Sequence, residues 1–491
     1  MSPEPTINRA HVAAAVVNVR DRIGETMARS GLPGLALGVL FDGEVMAAAG
    51  FGVRALGEEA AVDADTVFQL ASLSKALAGS VMAAFIRERA IAWDDPVRTG
   101  NPDFALSDPW VTQHVTYADL FSHRSGLPKH AGDLLEDLGH SRDTVLERLR
   151  LYPLGPLRAT HGYGNFGLTA AAVAAAARTG ATWEEASRQL LYEPLGMSST
   201  SSTYADFVSR TNRAIGHVRP DGIWMVTPQP RQPDAQSPAG GVSGTVNDML
   251  RWLQMEIEAG VVSGEAVLDA VALAQTWLPH VISSPPDPPT ARAGFYGLGL
   301  NVAYDDAGRL RLGHSGAFAL GAGTAMTYFP AERIGAVVLT NGQPTGIAEA
   351  MIETFYDDLF HGGPTQDWVA VIGKYFEDMM NPTPKKDFDQ PPHDAVDPGP
   401  DERYVGTYSN ALYGPVEIST ASGGGLQLAL GPGRQTYPLK PYNGDEMWWQ
   451  FAGENAGPPA AAAFSGGAGG RAERVRLDIL DDEGLGTFTR S

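Results

Sequence analysis

The chain has 491 residues, of which 43% are hydrophobic and 19% charged. That is enough apolar material for a large core and too little charge for wholesale disorder. Its 57 Asp and Glu against 36 Lys and Arg leave a formal charge of −21; so acidic a surface repels phosphate backbones and anionic lipid, which sets aside nucleic acid and membranes as partners. Cysteine is absent, which removes disulfides, thiolate metal sites and cysteine nucleophiles together. The first residues carry no basic-then-apolar leader, and no apolar run approaches the ~20 residues of a membrane span. The expectation is a soluble, cytoplasmic, globular protein.

In chain order, apolar positions recur at helical spacing through residues 10–28, and Gly31-Leu-Pro-Gly34 stops that helix. Residues 35–40 and 44–49 flank Asp42-Gly43, the signature of a β-hairpin. A helix over 72–89 has Leu77, Val81, Ala84 and Phe85 on its inner face, and further helical stretches cover 168–177 and 246–259. Strand-like runs return at 298–303, 324–329 and 335–340, ahead of a helix at 346–360. Early strands, a helical middle and late strands predict one sheet assembled from both ends of an α/β domain.

Between 381 and 400, Pro382, Pro384, Pro391, Pro392, Pro398 and Pro400 sit among charges, the composition of an extended linker. Beyond it, apolar and polar residues alternate between Gly-rich turns, with strands predicted at 416–418, 426–430, 447–451, 475–479 and 486–489. The expected organisation is an α/β domain over 1–380, a linker over 381–400 and a small all-β barrel over 401–491.

Three elements can carry chemistry. Lysine is scarce, and only Lys75 has a serine three places before it, in Ser72-Leu-Ser-Lys75. Chance supplies about 0.3 such pairs, so placement matters more than the pattern. Ser72 follows strand-like 67–70 and opens a helix, which stacks Lys75 one turn up on the same face, within reach of the hydroxyl. Apolar neighbours favour the uncharged amine that a base must be. The plainer alternative is an N-cap serine followed by a solvated lysine.

Tyr163-Gly-Asn165 precedes a helix of the same domain, and a phenol near a cationic lysine loses its proton more easily and can relay protons. Tyr408-Ser-Asn410 repeats the pattern in the tail, where a sheet aromatic is the plainer account. His314-Ser315-Gly316 lies between strand-like flanks, 310–312 and 317–320. A strand there can offer a backbone N–H to an acyl oxyanion, with glycine admitting substrate close to it. Gly-x-Ser-x-Gly and His-Glu-x-x-His are absent, and no histidine cluster suggests a metal. Trp448-Trp449 reads as barrel core, and His123-Arg124 as part of a structural turn.

Taken in order, Ser-x-x-Lys, Tyr-x-Asn and His-x-Gly resemble the motif set of the serine β-lactamase and penicillin-binding-protein superfamily. Leu120-Phe-Ser-His-Arg-Ser-Gly-Leu-Pro128, Tyr192-Glu-Pro-Leu-Gly-Met197, Pro238-Ala-Gly-Gly-Val-Ser243 and Val337-Val-Leu-Thr-Asn341 are similar to further landmarks of that family. The likeness is to its class C-like branch, with family VIII esterases, D-aminopeptidases and penicillin-binding-protein-type thioesterases. It implies a mixed antiparallel sheet flanked by helices, and the tail is similar to the lipocalin-like barrels of some relatives.

By the same resemblance, Ser72 is the acylated nucleophile, Lys75 its base, Tyr163 the proton relay and His314 its assistant or a carboxylate binder. Asn165, Ser315, Gly316 and Ala317 contact substrate, and the Ser72 and Ala317 amides form the oxyanion hole. No cofactor or metal is implied. Histidine at 314 in place of lysine removes a fixed charge that penicillins use, which disfavours a dedicated β-lactamase. The expected function is a serine hydrolase cleaving a small ester or amide, its partner a small-molecule or short-peptide acyl substrate. The alternatives are an acyltransferase or peptide cyclase, a β-lactamase, and a non-catalytic binder; the oligomeric state is left open.

Overall fold

Helix α1 (Arg9–Ser30) starts where the Asn8 side chain accepts hydrogen bonds from the Ala10 and His11 amides at 3.0 and 3.1 Å. It stops at Gly31, whose φ of 69° lets its N–H return to the Met27 carbonyl at 2.9 Å. The computed structural model describes residues 7–262, 264–467 and 470–491. After α1 come the hairpin strands β1 (Gly34–Phe41) and β2 (Glu44–Gly52), then helices α2 (Ser74–Arg87), α3 (Phe166–Ala177) and α4 (Val246–Ile257). Strands β3 (Val281–Ser284), β4 (Gly294–Tyr296), β5 (Asn301–Tyr304), β6 (Leu310–Phe318), β7 (Ala322–Phe329) and β8 (Ile334–Thr340) follow, and then helix α5 (Ile347–His361).

These strands form one eight-stranded sheet in the order β2-β1-β8-β7-β6-β5-β4-β3. The described pairings within it are antiparallel, and β1 meets β8 with Leu35 opposite Thr340, so both ends of the domain share one sheet as the alternation predicts. Strand periodicity sorts side chains to two faces. Leu35, Leu37 and Val39 of β1 join Val12, Val19 and Ile23 of α1 and Met351 and Phe355 of α5 in one core cluster. Each side chain so buried contributes roughly 1.5–3 kcal/mol. Gly38 faces the other way, against Leu250 of α4.

Between α2 and the sheet lies a buried carboxyl, Glu256. It accepts from Ser80 Oγ at 2.7 Å and from Trp277 Nε1 and Tyr328 OH at 3.0 Å each. Burial pushes its pKa up, with the three donors opposing. The network ties α2, α4 and β7 together.

Residues Leu310–Phe318 form a single strand, so His314, Ser315 and Gly316 lie within it between the two strand-like flanks. Pairing with β7 continues unbroken past Gly316.

Contacts divide the chain into two compact units. The first gathers the chain up to Phe104, Trp110–Gly126 and Gly155–Glu377; the second gathers Ala105–Pro109, Leu127–Leu154 and Asp378–Ser491. In the second unit eight strands close a barrel: β9 (Gly406–Asn410), β10 (Gly414–Thr420), β11 (Leu426–Leu430), β12 (Gln435–Asn443), β13 (Glu446–Trp449), β14 (Ala460–Ser465), β15 (Arg474–Leu477) and β16 (Thr487–Arg490). Val416 and Ile418, Leu426, Leu428 and Leu430, and Val475 and Leu477 are buried at alternate positions. The Trp448-Trp449 pair splits accordingly: Trp449 is fully buried, and Trp448 stacks outside on Phe388, with Lys440 Nζ 4.3 Å from its ring centroid. The proline-rich segment is tethered to the barrel, with the Val396 amide bonded to Asn443 and the Phe388 ring 4.9 Å from Tyr442.

The excursion Leu127–Leu154 belongs to this second unit. Asp137 accepts from the Asn455 amide and side chain at 2.7 and 2.9 Å, and Arg148 donates to the Leu412 carbonyl at 2.7 Å. Asp137→Ala is therefore expected to destabilise the second unit by about 1–3 kcal/mol, read as a lower denaturant midpoint by tryptophan fluorescence. An unchanged midpoint would show that the excursion does not depend on this carboxylate.

Candidate active site

Ser72 sits in a 3-10 turn, Ala71–Leu73, leading into α2. Ala71 holds a φ of 47°, a left-handed conformation that costs a non-glycine residue roughly 1–2 kcal/mol. The turn is clamped on both sides. Leu70 donates to the Val242 carbonyl at 2.8 Å and accepts from Thr324 Oγ1 at 2.9 Å. Ser74 Oγ donates to the Ala71 carbonyl at 2.6 Å and accepts from the Val242 amide at 3.0 Å. Strain held by such surroundings is a mark of functional turns.

Lys75 is fully buried, so the solvated-lysine alternative does not hold. Its Nζ donates to Ser72 Oγ at 2.9 Å, Asn165 Oδ1 at 2.7 Å and the Ala239 carbonyl at 3.1 Å. It also lies 4.7 Å from the Tyr163 ring centroid. Asn165 is the residue immediately before α3, and its carbonyl accepts from the Thr169 amide and hydroxyl. Four of the residues singled out from sequence (Ser72, Lys75, Tyr163 and Asn165) thus converge on one amine.

His314 closes the opposite wall. It is 6% exposed, and its ring lies 6.2 Å from that of Tyr163. Nδ1 is 2.6 Å from the Ser315 carbonyl and Nε2 is 2.9 Å from Tyr296 OH. A carbonyl can only accept, so Nδ1 carries the proton and Nε2 accepts from the phenol. Burial, and next the Lys75 charge, push the His314 pKa down to about 3, so the ring is neutral.

Strand alternation sends the neighbour elsewhere. Ser315 Oγ points through the sheet's other face and donates to Glu349 of α5, so only its backbone borders the site. Gly316 returns to the site face. A Cβ there would lie 2.6 Å from the Leu70 carbonyl, 3.0 Å from the Ser72 amide and 2.3 Å from Thr324 Oγ1, so only glycine lets β6 run this close to the serine. Ala317 pairs with Gly323 of β7. Pairing with β5 ends at Gly313, so the stretch from His314 to Phe318 has a strand partner on one edge.

Sequence reasoning left out several residues that line the site. The Tyr296 ring approaches those of His123 at 4.9 Å and His161 at 5.5 Å, and His123 lies 4.7 Å from Tyr163. His123, read as part of a turn, does hold one: its φ is 57°, and its carbonyl accepts from the Gly162 amide beside Tyr163. Arg124 and Arg158 brace this turn through Asp119, at 2.8 Å each. Burial alone pushes the Asp119 pKa up, but bonds from Arg158, the Thr116 amide and Arg124 outweigh it and hold the group ionised. Tyr296 and His161 carry no local pattern; only their tertiary position reveals them.

A buried lysine bonded to a serine on a strained turn, beside a glycine-bearing strand, makes up the candidate site. The family model "Beta-lactamase" matches residues 19–354, and the chain belongs to that family of serine hydrolases. A second model, a domain of unknown function (DUF3471), matches residues 390–487, the barrel region. Among relatives, penicillin-binding protein 4 of Amycolatopsis lactamdurans is 29% identical over 67% of this chain and 84% of its own length. The unguisins hydrolase ungD of Aspergillus violaceofuscus is 26% identical over 79% of this chain and 73% of its own. The octameric penicillin-binding protein homologue from Pyrococcus abyssi shares the fold with a TM-score of 0.61 at 20% identity, covering 94% of this chain and 98% of that one. Among the described residues no helix is long and apolar enough to cross a membrane.

Two outcomes are expected. Gly316→Ala should cut kcat by at least about tenfold, because the added methyl must displace the serine turn or β6; wild-type turnover would show that the approach is not needed. Burial pushes the Glu349 pKa up to about 7 from 4.5, with the bond from Ser315 opposing. A raised carboxyl pKa gives stability that is complete below pH 4.5 and lost as the pH rises to about 7. Glu349→Gln should flatten that slope, by up to about 3 kcal/mol in denaturation measured across the window; an unaltered slope would place the titration elsewhere.

Proposed function

We propose that the protein cleaves a small ester or amide through an acyl-enzyme on Ser72. The observation that carries this reading is the fully buried Lys75, whose amine bonds at once to Ser72 Oγ and Asn165 Oδ1. A lysine so placed has little structural use, since burying it costs several kcal/mol before its bonds compensate. As a proton acceptor it stands in direct transfer distance of the nucleophile.

In this reading Lys75, once it has given up a proton, keeps its two donations to Asn165 and the Ala239 carbonyl and takes the Ser72 proton as Oγ attacks the substrate carbonyl carbon. The negative charge that develops on the carbonyl oxygen is met by the Ser72 and Ala317 amides. The close approach of Gly316 to the Ser72 amide supports that pairing. Tyr163, beside Lys75, passes a proton to the leaving alcohol or amine, and the carbonyl re-forms as the ester to Ser72. Water then attacks that ester with the same groups in reversed roles, which releases the acid and restores the serine. Asn165 holds Lys75 in place and offers its amide to the acyl chain. That one relative is named a hydrolase favours water over an amine as the acceptor. The acidic surface suits a small-molecule or short-peptide substrate and not a nucleic acid or lipid surface.

The test is intact-mass labelling. Wild type, Ser72→Ala and Tyr163→Phe are each incubated with a p-nitrophenyl ester, a D-alanyl amide and a penicillin. The expected result is an acyl adduct on wild type that vanishes in Ser72→Ala, with deacylation slowed by about 100-fold in Tyr163→Phe. Turnover retained by Ser72→Ala would remove the nucleophile.

A further inference from the structure

His314 stands where a carboxylate-binding cation would be most useful, yet it is not available as one. Its Nδ1–H is committed to the Ser315 carbonyl and its Nε2 to the Tyr296 hydroxyl. Tyr296 is itself fully buried and ringed by His123, His161 and Tyr163, so its hydroxyl is held at that nitrogen by packing on several sides. The other cations named near this wall are also engaged: Arg231, 4.9 Å from the Phe318 ring centroid, donates to the Gln232 carbonyl at 3.3 Å. Lys75 donates to Ser72, Asn165 and the Ala239 carbonyl, Arg124 to Asp119 and the His280 carbonyl, and Arg158 to Asp119.

We infer that Tyr296 is a positioning residue that locks His314 as a neutral Nδ1–H imidazole, and that this wall therefore selects acyl substrates without a free carboxylate next to the scissile bond. The inference rests on the hydrolase reading above and names its substrate class: neutral esters, and amides whose leaving group is itself capped or internal. A carboxylate placed against this wall would be desolvated beside cations whose donors are already committed, and a buried charge so poorly compensated is heavily penalised. A neutral carboxamide or ester loses far less. Of the two roles that the family resemblance implies for His314, assisting Tyr163 fits the observed tautomer and binding a carboxylate does not. The low pKa of the ring agrees, with burial and the Lys75 charge as its causes.

Two depsipeptides identical except for a terminal carboxylate or a terminal carboxamide form the test. Wild type is expected to favour the carboxamide in kcat/KM by at least about tenfold, mostly through KM. In histidine-labelled protein, long-range 1H–15N spectra should show His314, assigned by its loss in His314→Gln, as the neutral Nδ1–H tautomer from about pH 5 to 8. Tyr296→Phe should break the lock, giving a mixed tautomer and narrowing the preference to within about threefold. His314→Lys should reverse it. A wild type that prefers the carboxylate overturns the inference without any variant needing to fold, and an Nε2–H tautomer in wild type overturns it as well. So does a folded Tyr296→Phe with unchanged spectrum and preference. Absence of any Ser72 adduct with either probe would instead overturn the hydrolase reading and this inference with it, whereas turnover favouring the carboxylate overturns this inference alone.

Discussion

The buried amine of Lys75 is the constraint around which the first unit is built. A lysine removed from water must meet acceptors on all sides or surrender its charge. Here the acceptors come from its own helix turn, from Asn165 ahead of α3 and from the Ala239 carbonyl, 90 and 164 residues away in sequence. Those distant segments can reach one nitrogen only if α2 and α3 pack side by side. The Glu256 network behind α2 and the Val242–Ser74 bond beside it serve the same end, by fixing the depth at which the helix starts.

A second consequence flows from the period of a strand. Between His314 and Gly316 on β6, consecutive residues face opposite sides of the sheet. His314 and Gly316 border the serine, while Ser315 crosses to Glu349 on α5. One tripeptide therefore serves both faces: two residues shape the site, and the third anchors the strand that carries them. The hydroxyl of Ser315, which the resemblance places among substrate contacts, is instead bonded to Glu349.

Much of this was legible from the chain. The hairpin at Asp42-Gly43, α1, α4 and α5, and strand β11 were readable because their apolar spacing and stop signals agree locally. Strands β12 and β14 were not. Pro438 and Pro441 interrupt the first, whose register shifts between Pro441 and Asn443, and four successive alanines erase the alternation in the second. The three chemical elements were individually near chance and persuasive only in order. Tyr296 and His161 lack even that, since their partners lie on separate segments and no spacing rule joins them.

The sequence by itself determined the α/β class with an all-β tail, the pairing of Ser72 with Lys75 in one motif, and the absence of thiol chemistry, because each follows from local pattern, composition or a motif in order. Tertiary structure alone decided the protonation of His314, the removal of Ser315 from the site face, the outward turn of Trp448 and the grouping of Leu127–Leu154 with the barrel. All of these depend on what a residue meets across space. A side chain's partners, and with them its charge and orientation, are set by burial and by contacts between segments far apart in the chain.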